Sequence, residues 1–477
     1  MNTLVNDIVI VGGGSSGWLA AASISNRIPG VNVTLVDKEE PEIVGVGEAT
    51  LLGFAGFMND CGFDHREWMN ATDAVIKVGI LFPDWGEDGT NIWHPFFFFG
   101  GEEPMVDVWS NHQDIPFHRT LPVYESVARN RINIHKMDSY ALHIDCGKLV
   151  QYISNKIKDR VTVINSTVES FKDNTLRLRN GNDVKADLFI DCTGFKRLLK
   201  DTDKLDLTDR LYVDTAVAGH IPYTNKDEQL HPYTACTNVD HGWIWDTPLR
   251  TRIGSGLVFN RSVTDINEAK ESLCKFWNGV VSPDDLKVID WTPFYDKKPW
   301  DNKVVSVGLS AGFIEPLEST GISLIIEGAN QLASYVRGRY FNQFDINSFN
   351  TYMINMFETC TDFVSMHYDL STIQSPFWEY VRGTYQRSEQ HNVYIDNMKS
   401  NIPSIINGKP AMFGGSNWIY WMMQMGYELS PKMTPDPLFA RRSLEQYNEF
   451  KSQTPLNIVK LKDMNMNDLI VKPIPIF

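Results

Sequence analysis

The stretch that decides the fold lies near the amino end of the chain, where residues 7–22 read DIVIVGGGSSGWLAAA. Its first five residues form a short, continuous and β-branched run, which is typical of a buried parallel strand. A glycine loop follows, and residues 18–28 then have the pattern of a helix. Residues 31–37, VNVTLVD, predict a second strand that ends in an acid. This order of elements predicts a dinucleotide-binding unit.

Three glycines of the loop, Gly12, Gly14 and Gly17, make the pattern G-x-G-x-x-G. The first allows a tight turn, the second lets the backbone approach a diphosphate, and the third permits close packing of the helix on the strand. The diphosphate then lies at the positive end of the helix. Asp37 stands 20 residues after Gly17, where an acid can bind ribose hydroxyls. The pattern fits NAD and FAD equally well.

Position favours FAD over NAD, because the motif stands at the amino end of the chain, as it does in the large flavoprotein superfamily. No second G-x-G-x-x-G occurs that could hold NAD(P)H. We therefore expect FAD as the cofactor, and another protein as the source of its reducing equivalents.

Further strand-like runs that end at a glycine occur far along the chain, in residues 161–194 and 303–312, and residues 321–338 read as a helix. We therefore expect a single interleaved α/β fold over residues 1–477, with a Rossmann-like FAD-binding module of the flavin monooxygenase type and a mostly helical layer that covers the substrate. The FAD module is assigned to residues 1–85, 136–200 and 297–340, and the covering part to residues 86–135, 201–296 and 341–477.

Composition excludes several classes of protein. The net charge is −15 and the basic residues are scattered, which argues against binding to nucleic acid. No apolar run reaches the roughly 18 residues of a membrane span, and the amino end does not resemble a signal peptide, so we expect a cytoplasmic protein. The six cysteines form no C-x-x-C pair, and no metal site is predicted. The oligomeric state stays open, with a homo-oligomer as one outcome.

Several blocks of sequence resemble the flavin-dependent tryptophan halogenase family. They follow the family's order along the chain: GGGSSGWLAA (12–21), GVGEAT (45–50), ADLFIDCTGF (186–195), GWIWDTPL (242–249), GLSAGFIEPLESTGI (308–322) and DFVSMHYDLSTIQSPFW (362–378). The resemblance implies that FADH2 reacts with O2 to give a flavin hydroperoxide, whose distal oxygen is attacked by a halide. The hypohalous acid so formed travels through a tunnel and halogenates an electron-rich aromatic ring. The implied partner is a separate flavin reductase.

The resemblance also implies the catalytic residues. Lys77, in a nearly apolar run, matches the family's catalytic lysine, which hydrogen-bonds hypohalous acid or becomes a haloamine. Glu318 matches the glutamate near the substrate, which orients the electrophile and takes the proton leaving the ring. We expect burial to raise the pKa of Glu318. Ser319 is expected to link the two by hydrogen bonds, and Glu315 to be a structural acid.

Binding residues follow from the same blocks. Thr320 and Gly321 match positions whose backbone N–H groups cradle the halide, and donors at a helix start suit an anion. His94 and Phe96 are expected to sandwich an aromatic ring, and Phe413 falls near a position where the family has a stacking tryptophan. The remaining positions implied to contact the cofactor are Ser16, Ala49, Leu309 and Ile322.

The chain departs from the family at three places. Thr247 replaces the isoleucine of the W-x-W-x-I-P signature, and Leu52 stands where a proline follows G-E-A-T. Residues 385–412 lack the tyrosine pair with which the family clamps the amine and carboxylate of tryptophan. We therefore expect another indole, a phenol or a larger aromatic rather than free tryptophan, with chloride, bromide or iodide as the halide.

Two other interpretations stay open. One is an FAD-dependent monooxygenase that hydroxylates an aromatic ring, and the other is an FAD-binding protein without catalytic activity. A hydroxylase would not need Lys77 and Glu318, and a silent protein would not need to keep both. The mass of the product separates these interpretations from halogenation.

Overall fold

The structure is a computed structural model that describes residues 2–39, 48–86, 90–96, 131–133, 140–369, 371–398 and 411–427, with residues 441, 445, 448 and 458–460. The strands in these ranges are, in chain order, β1 (Thr3–Leu4), β2 (Asp7–Val11), β3 (Asn32–Asp37), β4 (Glu48–Ala49), β5 (Val75–Lys77), β6 (Gly79–Phe82), β7 (Ile92–Pro95), β8 (Arg131–Asn133), β9 (Ala141–Ile144), β10 (Val161–Asn165), β11 (Val168–Lys172), β12 (Thr175–Leu178), β13 (Asp183–Lys185), β14 (Leu188–Asp191), β15 (Lys204–Asp206), β16 (Thr215–Ile221), β17 (Thr234–Val239), β18 (Gly242–Pro248), β19 (Ile253–Phe259), β20 (Lys287–Asp290), β21 (Phe294–Asp296), β22 (Trp300–Asp301), β23 (Val304–Ser306), β24 (Gly312–Phe313), β25 (Tyr340–Phe341) and β26 (Ile458–Lys460).

Helices alternate with these strands. The α-helices in the described ranges are α1 (Ser15–Arg27), α2 (Gly53–Asp60), α3 (His65–Ala71), α4 (Cys146–Ile157), α5 (Lys226–Gln229), α6 (Ile266–Phe276), α7 (Thr320–Tyr335), α8 (Gln343–Met366), α9 (Pro376–Thr384), α10 (Glu389–Met398) and α11 (Gly415–Gln424). Single turns of 3-10 helix span Gly194–Lys196, Pro283–Asp285, Gly308–Ser310 and Pro316–Glu318. None of the helices in the described ranges is long and apolar enough to cross a membrane.

The amino-terminal motif forms one side of a six-stranded sheet with the order β10-β3-β2-β14-β23-β22. Its neighbours pair in parallel except at the β22 edge. Parallel strands are covered on both faces, which is why β2 and β14 are continuous apolar runs. Helix α1 lies between α4 and α7 on one face, and a buried hydrogen bond of 2.9 Å from Ser23 Oγ to Asn330 Oδ1 joins α1 to α7. The predicted Rossmann-type α/β fold is confirmed.

A second, seven-stranded sheet has the order β20-β16-β19-β18-β17-β6-β7. Its strands pair antiparallel except for β17 with β6. The part of the chain assigned to cover the substrate is therefore less helical than predicted, because residues 215–290 contribute five strands besides the helices that follow residue 341. Apolar and small residues of these strands pack on both faces of the sheet. Sequence periodicity alone does not distinguish a strand of this kind from a buried helix.

The predicted catalytic residues lie where a three-stranded sheet, with the order β4-β9-β5, adjoins the seven-stranded sheet along the chain. Strand β5, which ends at Lys77, pairs with β9, and β6 begins two residues later at Gly79 in the seven-stranded sheet. From the other side, the 3-10 turn Pro316–Glu318 ends at Ser319, which has a φ of +58°, and α7 begins at Thr320. The left-handed conformation of Ser319 reverses the chain between the turn and the helix, and it brings the two regions together.

Candidate active site

The glycine loop has the shape that a dinucleotide needs. Gly12 has a φ of +106°, and a Cβ there would lie 2.4 Å from the carbonyl oxygen of Cys192. A Cβ on Gly17 would lie 1.8 Å from the carbonyl oxygen of Gly12, so only glycine permits α1 to begin this close to β2. No atom of the residues that the structure describes lies within 4 Å of the corresponding position on Gly14. The loop can receive a diphosphate at the start of α1.

Two of the other predicted cofactor positions, Asp37 and the turn that contains Leu309, lie next to the glycine loop or the start of α1. Asp37 ends β3, and its carboxylate lies so close to the loop that a Cβ on Gly13 would be 2.3 Å from Oδ2. Ser16 touches the turn at residues 308–310, because a Cβ on Gly308 would be 2.1 Å from Ser16 Oγ. Leu309 in that turn is 37% exposed, Ala49 lies in β4, and Ile322 lies in the first turn of α7. The glycine loop, Asp37 and the turn at residues 308–310 fit a bound dinucleotide.

Lys77 is a fully buried amine at the end of β5. Its Nζ donates hydrogen bonds to Ser319 Oγ at 2.8 Å and to the carbonyl oxygen of Thr50 at 3.2 Å. The same atom lies 4.9 Å from the centre of the Phe96 ring. Burial lowers the pKa of Lys77 to about 7, against the attraction of Glu318, which raises it. Near neutral pH the side chain therefore exists both as an ammonium and as a free amine.

Glu318 is also fully buried, and both of its carboxylate oxygens are engaged. His94 Nδ1 lies 2.7 Å from Oε2, and His367 Nε2 lies 2.5 Å from Oε1. Burial raises the pKa of Glu318, but the attraction of His94 and the hydrogen bonds of the two histidines outweigh it and lower the pKa to about 2. The predicted rise of this pKa is therefore wrong. Burial was anticipated, whereas the two imidazoles, distant in sequence, were not.

His367, at the C-terminal end of α8, is held between two acceptors. Its Nδ1 lies 2.8 Å from the carbonyl oxygen of Phe363, one turn earlier in the helix, while Nε2 faces Glu318. Its ring lies on the indole of Trp421, with the ring centres 3.7 Å apart. Each ring nitrogen thus faces an oxygen, and a neutral imidazole can donate to only one of them. Burial lowers the pKa of His367, against the hydrogen bond and the charge of Glu318, which raise it.

A cavity of about 510 Å³ opens beside this buried centre. All three residues predicted to bind the aromatic substrate, His94, Phe96 and Phe413, line it. The His94 and Phe413 rings have centres 5.9 Å apart, and Phe413 stacks on Phe363 at 4.3 Å. Lys77 and Glu318 are not among the lining residues, because they lie behind Phe96 and His94 respectively. The structure thus brings the predicted substrate and catalytic residues together in two layers.

The two predicted halide residues lie at the start of α7. Thr320 is the first residue of this helix and Gly321 the second, so their backbone N–H groups lack acceptors within the helix. Among the described residues, Thr320 Oγ1 is buried without a hydrogen-bond partner. A Cβ on Gly321 would meet no atom of these residues within 4 Å. Such a site can accept an anion.

Glu315, three residues before Glu318, is in a different environment. Its Oε1 accepts a hydrogen bond of 2.6 Å from the hydroxyl of Tyr368, which in turn accepts one of 3.0 Å from Trp243 Nε1. Oε2 is buried without a partner. Burial raises the pKa of Glu315 to about 8, against the hydrogen bond of Tyr368, which lowers it. This carboxyl is protonated at neutral pH, and it connects the first tryptophan of the W-x-W signature to the turn that precedes Glu318.

Sequence reasoning missed two polar residues of the site. His367 lies in the family-like block at residues 362–378, but nothing in that block alone assigns it a partner. Asn417 donates a hydrogen bond of 2.8 Å from Nδ2 to His94 Nε2, and no sequence signal pointed to it. Parts of the predictions lie outside the described residues: residues 45–47 of the G-E-A-T strap, residues 97–100 after Phe96, residues 101–130 and 428–440 of the covering part, and residues 399–410 of the segment compared with the tryptophan clamp.

Comparisons with known proteins agree with this geometry. The chain is 29% identical over 472 residues to tryptophan 6-halogenase SttH of Streptomyces toxytricini, covering 89% of this chain and 90% of that protein. It is 28% identical over 452 residues to tryptophan 7-halogenase RebH of Lentzea aerocolonigenes, with coverage of 85% and 84%. The crystal structure of SttH superposes with a TM-score of 0.86 at 25% identity, covering 94% of this chain and 96% of that one.

The flavin-dependent halogenase BrvH from Brevundimonas sp. BAL3 superposes with a TM-score of 0.83 at 26% identity, with coverage of 95% and 97%. The model of the family described as tryptophan halogenase matches residues 7–441, which span most of the sequence. The range that this family model matches contains the glycine loop, Lys77, Glu315 and Glu318. The chain therefore belongs to the tryptophan halogenase family of flavin-dependent halogenases.

Proposed function

We propose that this protein uses FADH2, O2 and a halide to halogenate an electron-rich aromatic compound of the indole or phenol type. The observation that carries the proposal is the position of Lys77. Its amine is fully buried and lies 2.8 Å from Ser319 Oγ. Phe96 lines the cavity, and the amine contacts its ring from the side opposite the cavity. A lysine is seldom buried without a hydrogen bond to a carboxylate unless the protein uses the reactivity of its amine.

The cofactor would be held by the glycine loop, by Asp37 and by the turn at residues 308–310. Bound FADH2 would supply, together with O2, the oxidising equivalents that turn a halide into hypohalous acid. The halide would be held by the backbone N–H groups of Thr320 and Gly321 at the start of α7. In this arrangement the oxidant would form within one helical turn of Ser319, the hydrogen-bond acceptor of Lys77.

Lys77 would receive the hypohalous acid at Nζ. With a pKa of about 7, the amine either hydrogen-bonds the oxidant as an ammonium or accepts the halogen as a free amine. As an ammonium it can also give a proton to the oxygen that leaves the halogen. Ser319 and the carbonyl of Thr50 fix the direction of Nζ, since each accepts one of its protons. The proton released by the ring would go to the His94–Glu318 pair.

The cavity supports an aromatic substrate of moderate size. Its volume of about 510 Å³ lies in the range of small-molecule sites, roughly 300–1,000 Å³. His94, Phe96 and Phe413 offer three aromatic surfaces to a flat ring. Residues 385–412 carry no tyrosine pair for an amino-acid group, so we favour a substrate without the amine and carboxylate of tryptophan. A separate flavin reductase would supply FADH2 in the cytoplasm, because one dinucleotide motif is present.

Product mass tests this function directly. The wild-type protein would be incubated with FAD, a flavin reductase and its reductant, O2 and a panel of indoles and phenols, with chloride, bromide or iodide in parallel. We expect at least one product with the mass and isotope pattern of one added halogen, and none when the halide is omitted. A product that instead gains one oxygen would indicate a monooxygenase, and no product from any compound would contradict the proposed function.

A further inference from the structure

We propose that His94, through its Nε2 atom, takes the proton that leaves the aromatic ring, and that Glu318 acts behind it as the carboxylate that orients the imidazole. This inference deepens the proposed function and rests on it. It differs from the sequence-based expectation, in which Glu318 itself takes the proton.

The first observation is the layering of the site. His94 lines the cavity and Glu318 does not. The carboxylate is fully buried, and its two oxygens face His94 Nδ1 at 2.7 Å and His367 Nε2 at 2.5 Å. A substrate in the cavity therefore meets the His94 ring first, and neither carboxylate oxygen is free to receive a proton from it.

The second observation fixes the protonation of His94. The backbone N–H of Gly414 donates to Asn417 Oδ1 at 2.9 Å, so this end of the amide is the oxygen. The other end, Nδ2, therefore donates to His94 Nε2 at 2.8 Å. A nitrogen that accepts a hydrogen bond carries a lone pair and no proton. His94 is thus the neutral tautomer with its proton on Nδ1, where it is donated to Glu318.

Asn417 is held in this direction by the helix that carries it. It is the third residue of α11, whose N-cap is Gly414, and its side chain caps the first turn of that helix. Asn417 also lines the cavity. The Asn417 amide donates its hydrogen bond to the lone pair of His94 Nε2. A substrate that enters between the two side chains breaks this one hydrogen bond, which joins neutral groups.

The proposed step balances in atoms and charge. A bond forms between a ring carbon and the halogen while the halogen–oxygen bond of hypohalous acid breaks. The leaving oxygen takes a proton from the Lys77 ammonium and departs as water. The electron pair of the C–H bond returns to the ring, and the proton released from the carbon moves to His94 Nε2. The imidazolium is stabilised by the Glu318 carboxylate at 2.7 Å and returns its proton to water or to Lys77.

The charged and titratable groups around His94 agree with this assignment. Glu318 faces Nδ1, and the hydrogen bonds of His94 and His367 hold the pKa of this carboxylate below its usual value. His367 occupies the other oxygen of Glu318 and is fully buried. Glu327 of α7 also lines the cavity, and Lys77 lies behind Phe96. Loss of activity at high pH should report the Lys77 amine.

The test uses a substrate that the wild-type enzyme halogenates, in ordinary form and with deuterium at the reacting carbon. In His94→Asn, the new amide can still donate to Glu318 from the Nδ1 position, but nothing replaces Nε2. We expect kcat to fall about 10²-fold with a small change in KM, and an isotope effect on kcat to appear because proton removal becomes slow. His94→Phe, which keeps an aromatic wall, should lose kcat at least as strongly.

Asn417 provides a second test that does not remove the proposed base. In Asn417→Asp, a carboxylate next to Nε2 stabilises the imidazolium, so the low-pH limb of kcat should move upward by about one pH unit or more. The matched variant Asn417→Leu removes the hydrogen bond without adding a charge and should move that limb less than Asn417→Asp does. Binding of FAD, measured by flavin fluorescence, shows whether each variant is folded.

The outcomes separate this inference from the function on which it rests. If the wild-type protein halogenates no compound, the proposed function fails. If it does, and His94→Asn raises KM without an isotope effect, His94 is only a wall of the cavity and the inference is overturned. It is equally overturned if Asn417→Asp leaves the low-pH limb in place.

Discussion

Glu315 and Glu318 stand three residues apart on one turn, both fully buried, and they differ in almost everything else. Glu315 has one hydrogen-bond donor, Tyr368, and one oxygen without a partner. Glu318 has a histidine on each oxygen. The pKa of Glu315 is raised to about 8 and that of Glu318 is lowered to about 2.

The difference shows that burial alone does not decide whether an acid in a protein interior is charged. Desolvation favours the neutral form of both side chains, and only the number and kind of donors that face each carboxyl separate them. A protonated Glu315 can stay within the apolar turn without a cation. An ionised Glu318 provides the negative charge that a neighbouring imidazole needs when it accepts a proton. Neighbouring acids can therefore serve structure and chemistry side by side.

The largest expected effect is on activity. Glu318→Gln should reduce kcat for halogenation by about 10²-fold, because the charge that stabilises a protonated His94 is removed. Glu315→Gln should stay within about threefold of the wild type, since glutamine resembles the protonated acid that is already present. Both variants would be assayed with the same aromatic substrate near pH 7. Equal losses in the two variants would contradict the division of roles between the two acids.

A smaller effect is expected on stability, and it depends on pH. The pKa of Glu315 rises from 4.5 to about 8 on folding, so between these values the folded protein binds a proton that the unfolded chain has released. Its contribution to the free energy of unfolding is present below pH 4.5 and is lost as the pH rises towards 8, with a slope of up to about 1.4 kcal/mol per pH unit.

Glu315→Gln removes this titration. Relative to the wild type, the variant should gain stability steadily as the pH is raised from 5 to 8. Urea unfolding at a series of pH values measures the difference. Glu318 has its own window between pH 2 and 4.5, where its lowered pKa makes stability fall as the pH falls. A difference between Glu315→Gln and wild type that does not vary with pH would show that Glu315 is ionised in the folded state.

The sequence predicted well what a short stretch of chain encodes. Gly12, Gly14 and Gly17 need one another within a single loop, and Asp37 ends the next strand, so spacing was enough to place all four. The helix that begins at Thr320 and the contact of Lys77 with Ser319 were also predicted, because the resemblance to a family identified these residues.

What the sequence did not predict depends on contacts between distant segments. His367 and Asn417 approach Glu318 and His94 from two helices of the carboxyl-terminal third, and no periodicity in α8 or α11 marks either residue as polar and functional. The pKa of Glu318 was wrong for the same reason, since its direction is set by partners 224 and 49 residues away. The seven-stranded sheet was underestimated because its buried strands have no alternating pattern.

The central claim is that the buried amine of Lys77 is required for halogen transfer, and Lys77→Met tests it most directly. Methionine fills a similar volume without an amine, and Lys156→Met is the matched control, because Lys156 is partly exposed and paired with Glu67. Product mass would be measured for the three proteins with one substrate and bromide. We expect that Lys77→Met gives no brominated product but binds FAD as the wild type does, and that the control is fully active. Bromination by Lys77→Met at a rate near that of the wild type would contradict the account.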